Sequence, residues 1–172
     1  MGEEIFYRIL QSREDRASFQ EEIINKYNNP IISFTLNIPG PRKDSERYRK
    51  IHDVGMELIW NKLRELGYNI EYRSKKDKST GPEGYFSVDI DPLVLKKVTV
   101  KIEEEHELGR LFDIDVFDKN HEQVGRRDLG INPRRCLICE EQAKVCSRAG
   151  THSLVELIHK INSIYNLYFH NF

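Results

Sequence analysis

The sequence predicts an α+β fold with a mainly antiparallel sheet covered by helices, and two observations carry that reading. Long stretches place apolar residues at helical spacing, whereas shorter ones alternate apolar and polar residues and are separated by Gly, Pro, Asn and Asp. At 172 residues, without repeats or a linker, the chain is expected to form a single domain.

Taken in order, Ser12-Arg-Glu-Asp15 has the pattern of a capping box, and Phe19, Ile23 and Tyr27 follow at spacing four until Asn28-Asn29-Pro30. Ile31 to Ile38 is rich in β-branched residues and runs into Pro39-Gly-Pro41, so it reads as a strand ending in a turn. From Asp44, the positions Tyr48, Ile51, Ile59, Leu63 and Leu66 mark a long helix, closed by Gly67. Ile70 to Arg73, a polar loop Ser74 to Thr80, and Gly81-Pro-Glu-Gly84 then lead into a strand in which Phe86, Val88 and Ile90 share a face. Val98, Val100 and Ile102 alternate, as do Phe112, Ile114 and Val116, and Asp118-Lys-Asn120 turns toward Gln123 to Arg127, so these stretches are expected to form a meander. Thr151 is the expected cap of a last helix carrying Leu154, Leu157, Ile161, Ile164 and Tyr168.

Composition narrows the function. Lys and Arg number 27 against 28 Asp and Glu, so the chain has no global attraction to polyanions, and any anion site must be local. This argues against a nucleic-acid track and hence against a nuclease. No apolar run approaches the roughly 18 residues that span a bilayer. The three cysteines, Cys136, Cys139 and Cys146, are an odd and tightly spaced set, a poor disulfide framework that fits a reducing cytoplasmic home.

The chemistry centres on Leu108-Gly-Arg-Leu-Phe-Asp-Ile-Asp-Val116. On a strand, Asp113 and Asp115 project from one face while Phe112, Ile114 and Val116 take the other. Two neighbouring carboxylates repel unless a cation lies between them, and Mg²⁺ prefers one or two carboxylates together with phosphate oxygens and water. A wet strand face is the plain alternative for an isolated pair. Gly109-Arg110 directly ahead supplies a guanidinium able to grip phosphate in two places. The segment Gly81, Glu83, Gly84 could bring backbone donors to a phosphate, or serve as a simple turn. Glu83 and Asp89 are the candidates for a third carboxylate, and His106 reads as a surface residue. The basic pairs Arg42-Lys43, Arg126-Arg127 and Arg134-Arg135, with Arg148, suggest a local anion-binding face. Cys136, Cys139, Cys146 and His152 match the ligand inventory of a structural Zn²⁺ site, but Cys139, Ala143 and Cys146 also have helical spacing, and burial as small apolar groups is the preferred reading.

Taken together, Ser33 to Pro41 with Lys43-Asp-Ser45, Gly81 to Gly84, Leu108 to Val116, and Arg134-Arg-Cys-Leu-Ile-Cys139 with Ala143, Cys146, Arg148 and His152 closely resemble the apo-citrate lyase phosphoribosyl-dephospho-CoA transferases. The resemblance implies a bacterial cytoplasmic enzyme with nucleotidyltransferase-type chemistry. Such an enzyme moves the prosthetic group from triphosphoribosyl-dephospho-CoA to a serine of the acyl carrier subunit of citrate lyase and releases pyrophosphate. On this reading Asp113 and Asp115 hold Mg²⁺ and Arg110 holds phosphate oxygens. Arg42, Lys43, Arg134 and Arg135 face substrate or carrier, together with the Gly81, Glu83, Gly84 and Gly109 turns. The competing expectation is a zinc-stabilised, non-catalytic binding module centred on the Cys-His cluster.

Overall fold

In the computed structural model, which describes residues 2–170, a five-stranded antiparallel sheet is covered by helices. The strands are β1 (Ile31–Leu36), β2 (Asn69–Lys76), β3 (Glu83–Asp89), β4 (Phe112–Phe117) and β5 (Gln123–Val124), in the spatial order β2-β3-β1-β4-β5. The helices are α1 (Gly2–Tyr27), α2 (Glu46–Glu65), α3 (Pro92–Glu105), α4 (Ala143–Ala149) and α5 (Leu154–His170). The α+β expectation holds.

Central β1 explains its own position, because Ile31, Ile32 and Phe34 are all fully buried and need cover on both faces. Ile32, Phe34, Phe86, Val88, Phe112, Ile114 and Val116 form one face and join a core with Ile51, Ile59 and Leu63 of α2, Leu95, Val98 and Ile102 of α3, and Ile161 and Tyr165 of α5. On the opposite face, Ile31 and Tyr85 pack against Ile23 and Ile24 of α1. Helix α1 therefore covers the face to which Asp113 and Asp115 belong.

The largest correction concerns Val98, Val100 and Ile102, which lie in helix α3 and not in a strand. Asp91 caps that helix by accepting from the N–H groups of Leu93 and Val94, and Pro92 sits in its first turn. Val98 and Ile102 are also four apart, so β-branched alternation and a helical stripe coincide; the cap and core contacts settle the conformation. Four further boundaries move. Helix α1 begins well before Ser12, whose buried hydroxyl bonds Thr80 at 2.8 Å instead of capping. Strand β2 extends to Lys76, into the expected loop. The last helix is capped by Ser153 and Glu156, not Thr151: the Glu156 N–H donates to Ser153 Oγ at 3.2 Å and the Ser153 N–H donates to Glu156 at 2.8 Å. Gln123 to Arg127 contributes only the two residues of β5 before a 3₁₀ turn at Arg127–Leu129. Among the described residues no helix is long and apolar enough to cross a membrane.

Candidate active site

Register places the carboxylates. Ser33 of β1 lies between Tyr85 of β3 and Asp115 of β4, and Thr35 is the partner of Asp113, so hydroxyls and carboxylates form rows across the α1 face. Helix α1 completes this polar half with Ser12, Arg16 and Gln20, which lie on one helical face. Ser12 bonds Thr80, Arg16 donates to Glu83 at 3.1 Å, and Gln20 donates to Ser33 at 2.9 Å. The same stripe continues as Phe19, Ile23 and Ile24 over the apolar half.

A cleft of about 230 Å³ opens here, lined among others by Arg13, Arg16, Lys43, Gly81, Pro82 and Asp113. Three cations and a carboxylate thus converge at one end of the sheet. Burial lowers the affinity of Lys43 for its proton, and the nearby charge of Arg13 adds to the effect. Burial raises the Asp115 carboxyl above the usual range, as does Asp113 beside it; Lys96 and the hydrogen bond from Gln123, at 2.7 Å, oppose the shift. A carboxylate in that state beside Asp113, itself about half exposed, favours a shared cation.

Behind the pair, β4 is anchored along an edge that β5 leaves open. Lys96 donates to the Ile114 carbonyl at 2.9 Å, Glu103 accepts from the Ile114 N–H at 3.0 Å, and Arg134 donates to the Phe112 carbonyl at 2.6 Å. Arg134 also pairs with Glu103 and reaches Asp113 at 3.5 Å, while Arg126 bonds Glu103 at 3.0 Å and Glu104 at 2.7 Å. Main-chain groups that would otherwise lack strand partners are thus bound by side chains.

The other sequence-derived candidates divide among distinct places. Gly109, Arg110, Arg134 and Arg135 line a second cavity of about 540 Å³, and Asn37 lines both this cavity and the first. Arg110 donates to the carbonyls of Arg135, at 3.1 Å, and Cys136, so it supports the cysteine loop from below. Arg135 is exposed and pairs with Glu140; Arg42 is exposed and lines neither cavity. Glu83 is buried, with Arg16, Lys78 at 3.0 Å and the Tyr85 hydroxyl at 2.7 Å as partners. Asp89 lies at the far end of β3, opposite Asn69. In the Gly81 segment the Gly81 N–H donates to Lys78 and Pro82 has none to offer; a side chain at Gly84 would strike Met56, and one at Gly109 would strike the main chain of Glu103. Close packing therefore gives these last two glycines a reason of their own. His106 is not a plain surface residue: it stacks on Phe112, and its Nδ1 accepts from the Leu108 N–H at 3.1 Å.

Cys136, Cys139, Cys146 and His152 come together, their ligand atoms all within 4.8 Å of one another. Cys139 lies outside α4, so the expected helical face of Cys139, Ala143 and Cys146 does not form. Burial raises the Cys136 thiol, but N–H groups of Cys139 and Ile138 and the neighbouring thiols bring it down to about 7.

Sequence reasoning missed Arg13, Arg16, Gln20, Lys96 and Glu103. The backward extension of the Phe19, Ile23 and Tyr27 stripe to Ser12 and Arg16 was a usable signal for α1. For Lys96 and Glu103 no local signal existed, because the strand edge they serve is remote in sequence.

A family described as apo-citrate lyase phosphoribosyl-dephospho-CoA transferase matches residues 6–168. Proteins of that name from Shigella boydii, Escherichia coli O157:H7 and Shigella sonnei are each 37% identical to this chain over 158 residues, covering 92% of it and 86% of each relative.

Proposed function

The chain belongs to the apo-citrate lyase phosphoribosyl-dephospho-CoA transferase family, and from that membership we propose how the polar half of its sheet serves the reaction. The protein is a transferase that attaches the phosphoribosyl-dephospho-CoA group to apo-citrate lyase; the zinc-stabilised, non-catalytic module is not favoured. The donor is triphosphoribosyl-dephospho-CoA and the acceptor is a serine hydroxyl of the acyl carrier subunit. A bond forms between the serine oxygen and the phosphorus next to the ribose, and the bond from that phosphorus to the terminal pyrophosphate breaks. Pyrophosphate leaves and the serine proton passes to the medium.

The observation that carries this reading is the meeting of Asp113 with Arg13, Arg16 and Lys43 in one cleft. The three cations receive phosphate oxygens and stabilise the charge that grows on the leaving group. Asp113 and Asp115 would hold Mg²⁺ together, since burial and the charge of Asp113 disfavour a bare carboxylate at Asp115. When bound, Mg²⁺ supplies charge neutralisation at the phosphates. Arg134 holds Asp113 in place, and Arg110 presents its remaining donors to the second cavity. Exposed Arg42 and Arg135 suit an acidic carrier, whose association should then weaken with salt. Free thiols and bacterial relatives accord with a cytoplasmic location.

Incubating the protein with apo acyl carrier subunit, triphosphoribosyl-dephospho-CoA and Mg²⁺ should raise the carrier's mass by one prosthetic group and release pyrophosphate. An unchanged mass on a carrier that a proven family member modifies would refute the assignment.

A further inference from the structure

From Gly125 to Ser153 the only buried residues are Cys136 and Cys146. This stretch has one short helix, α4, one 3₁₀ turn and a single isolated bridge between Arg135 and Gln142. It nevertheless carries Arg134, which crosses to Phe112, Glu103 and Asp113. A segment that buries so little apolar surface does not recover the entropy of its own ordering from packing, and small units of this kind depend on a staple.

The side chains that converge at its centre have the chemistry of one. Cys139 Sγ lies 3.9 Å from Cys146 Sγ, and His152 Nε2 lies 3.3 Å from Cys139 Sγ. For a tetrahedral ion with bonds of about 2.3 Å to sulfur and about 2.0 Å to nitrogen, ligand-to-ligand edges are about 3.8 Å and about 3.5 Å. The thiol spacing is far beyond the roughly 2.05 Å of a disulfide, and all three cysteines are free. The first pair, Cys136-x-x-Cys139, turns so that the Ile138 N–H points at Cys136 Sγ at 3.5 Å, a donor that favours a thiolate at that position. Burial as small apolar groups does not account for an imidazole nitrogen aimed at a sulfur, nor for four ligand atoms meeting at one point.

We propose that Cys136, Cys139, Cys146 and His152 bind one Zn²⁺ as a closed structural site that ties the 125–153 segment together and thereby holds Arg134 beside Asp113. Binding displaces three thiol protons into solvent and leaves the histidine neutral, so no oxidant or reductant is involved. With four protein ligands the ion has no open position for substrate, and its role is in folding. Arg110, which donates to the carbonyl of Cys136, links the site to the turn ahead of β4.

The test uses the full chain purified under reducing conditions without added chelator. Elemental analysis should find about one zinc per chain. After exchange, Co²⁺ should give the intense visible bands of tetrahedral coordination together with thiolate-to-metal charge transfer, a readout independent of activity. Chelation should lower Tm and expose the segment to limited proteolysis before the rest of the protein. His152→Ala should weaken Zn²⁺ binding at least about tenfold, whereas His152→Cys, which keeps four ligands, should retain one metal per chain and its tetrahedral spectrum. Should His152→Ala fail to fold, the wild-type stoichiometry and cobalt spectrum still decide. Metal well below one per chain in wild-type protein supplied with zinc, an octahedral cobalt spectrum, or a Cys139–Cys146 disulfide under reducing conditions would overturn the site. None of these readouts depends on the transfer reaction.

Discussion

Lys96 and Glu103, about two turns apart on α3, grip the same residue of β4: Lys96 donates to the Ile114 carbonyl at 2.9 Å and Glu103 accepts from its N–H at 3.0 Å. Both side chains are almost fully buried. Ile114 separates Asp113 from Asp115, so the helix fixes the strand position from which both carboxylates project. Buried charges are costly unless paired, and here the partners are strand-edge main chain together with Arg126 and Arg134.

Asp113→Asn and Asp115→Asn should each lower the transfer rate about a hundredfold or more at ordinary Mg²⁺, because each removes a charge on which a cation site depends. Both variants should keep the wild-type Tm to within a few degrees, since neither side chain belongs to the apolar core. Steady-state rates alongside thermal melts check this, and full activity in both would remove the pair from the site.

Arg134→Met should destabilise the fold by about 2 kcal/mol, because it deprives the Phe112 carbonyl of a donor and the buried Glu103 of one of its two arginines. Arg134→Lys should fall between, as a single ammonium cannot serve three acceptors in a planar fork. Urea unfolding measures both effects. Transfer should fall as well, with kcat affected more than the carrier KM, if Arg134 acts by holding Asp113.

Gly109→Ala should be severely destabilising, because the new methyl group would meet the main chain of Glu103 and Ile102, which cannot yield as a flexible side chain would. A lowered Tm in the absence of any substrate distinguishes this packing role from a loss confined to substrate KM.

His52 is fully buried, stacks on Phe34 with ring centroids 4.4 Å apart, and leaves its Nδ1 without a partner. Burial lowers its pKa to about 4, against the bond to the Phe34 carbonyl and nearby carboxylates. The unfolded chain takes up a proton near pH ~6.5 that the folded protein refuses until about pH 4. Stability from this group is therefore complete above pH ~6.5 and declines by about 3 kcal/mol as pH falls toward 4. In His52→Gln the slope of unfolding free energy across that window should flatten relative to wild type, as read by denaturant titrations at several pH values.

The sequence by itself determined the carboxylate pair, because the two-residue period of a strand sends Asp113 and Asp115 to one side whatever surrounds them. It also determined the helix expected from Asp44, where the apolar stripe and Gly67 agree and the structure adds the Ser45 cap, and the ligand inventory of the Cys-His cluster. Only the tertiary structure decided that Val98 to Ile102 is helical, since those residues satisfy both periods and the Asp91 cap and core contacts choose between them. It alone brought Arg13 and Arg16 into the cleft that Asp113 lines, gathered His152 with the three thiols, and turned Arg134 inward to Glu103. Periodicity reports which side of an element is apolar, a local property. Which polar groups meet across that element depends on chain crossings and on strand edges left unpaired, and these exist only once the sheet has formed.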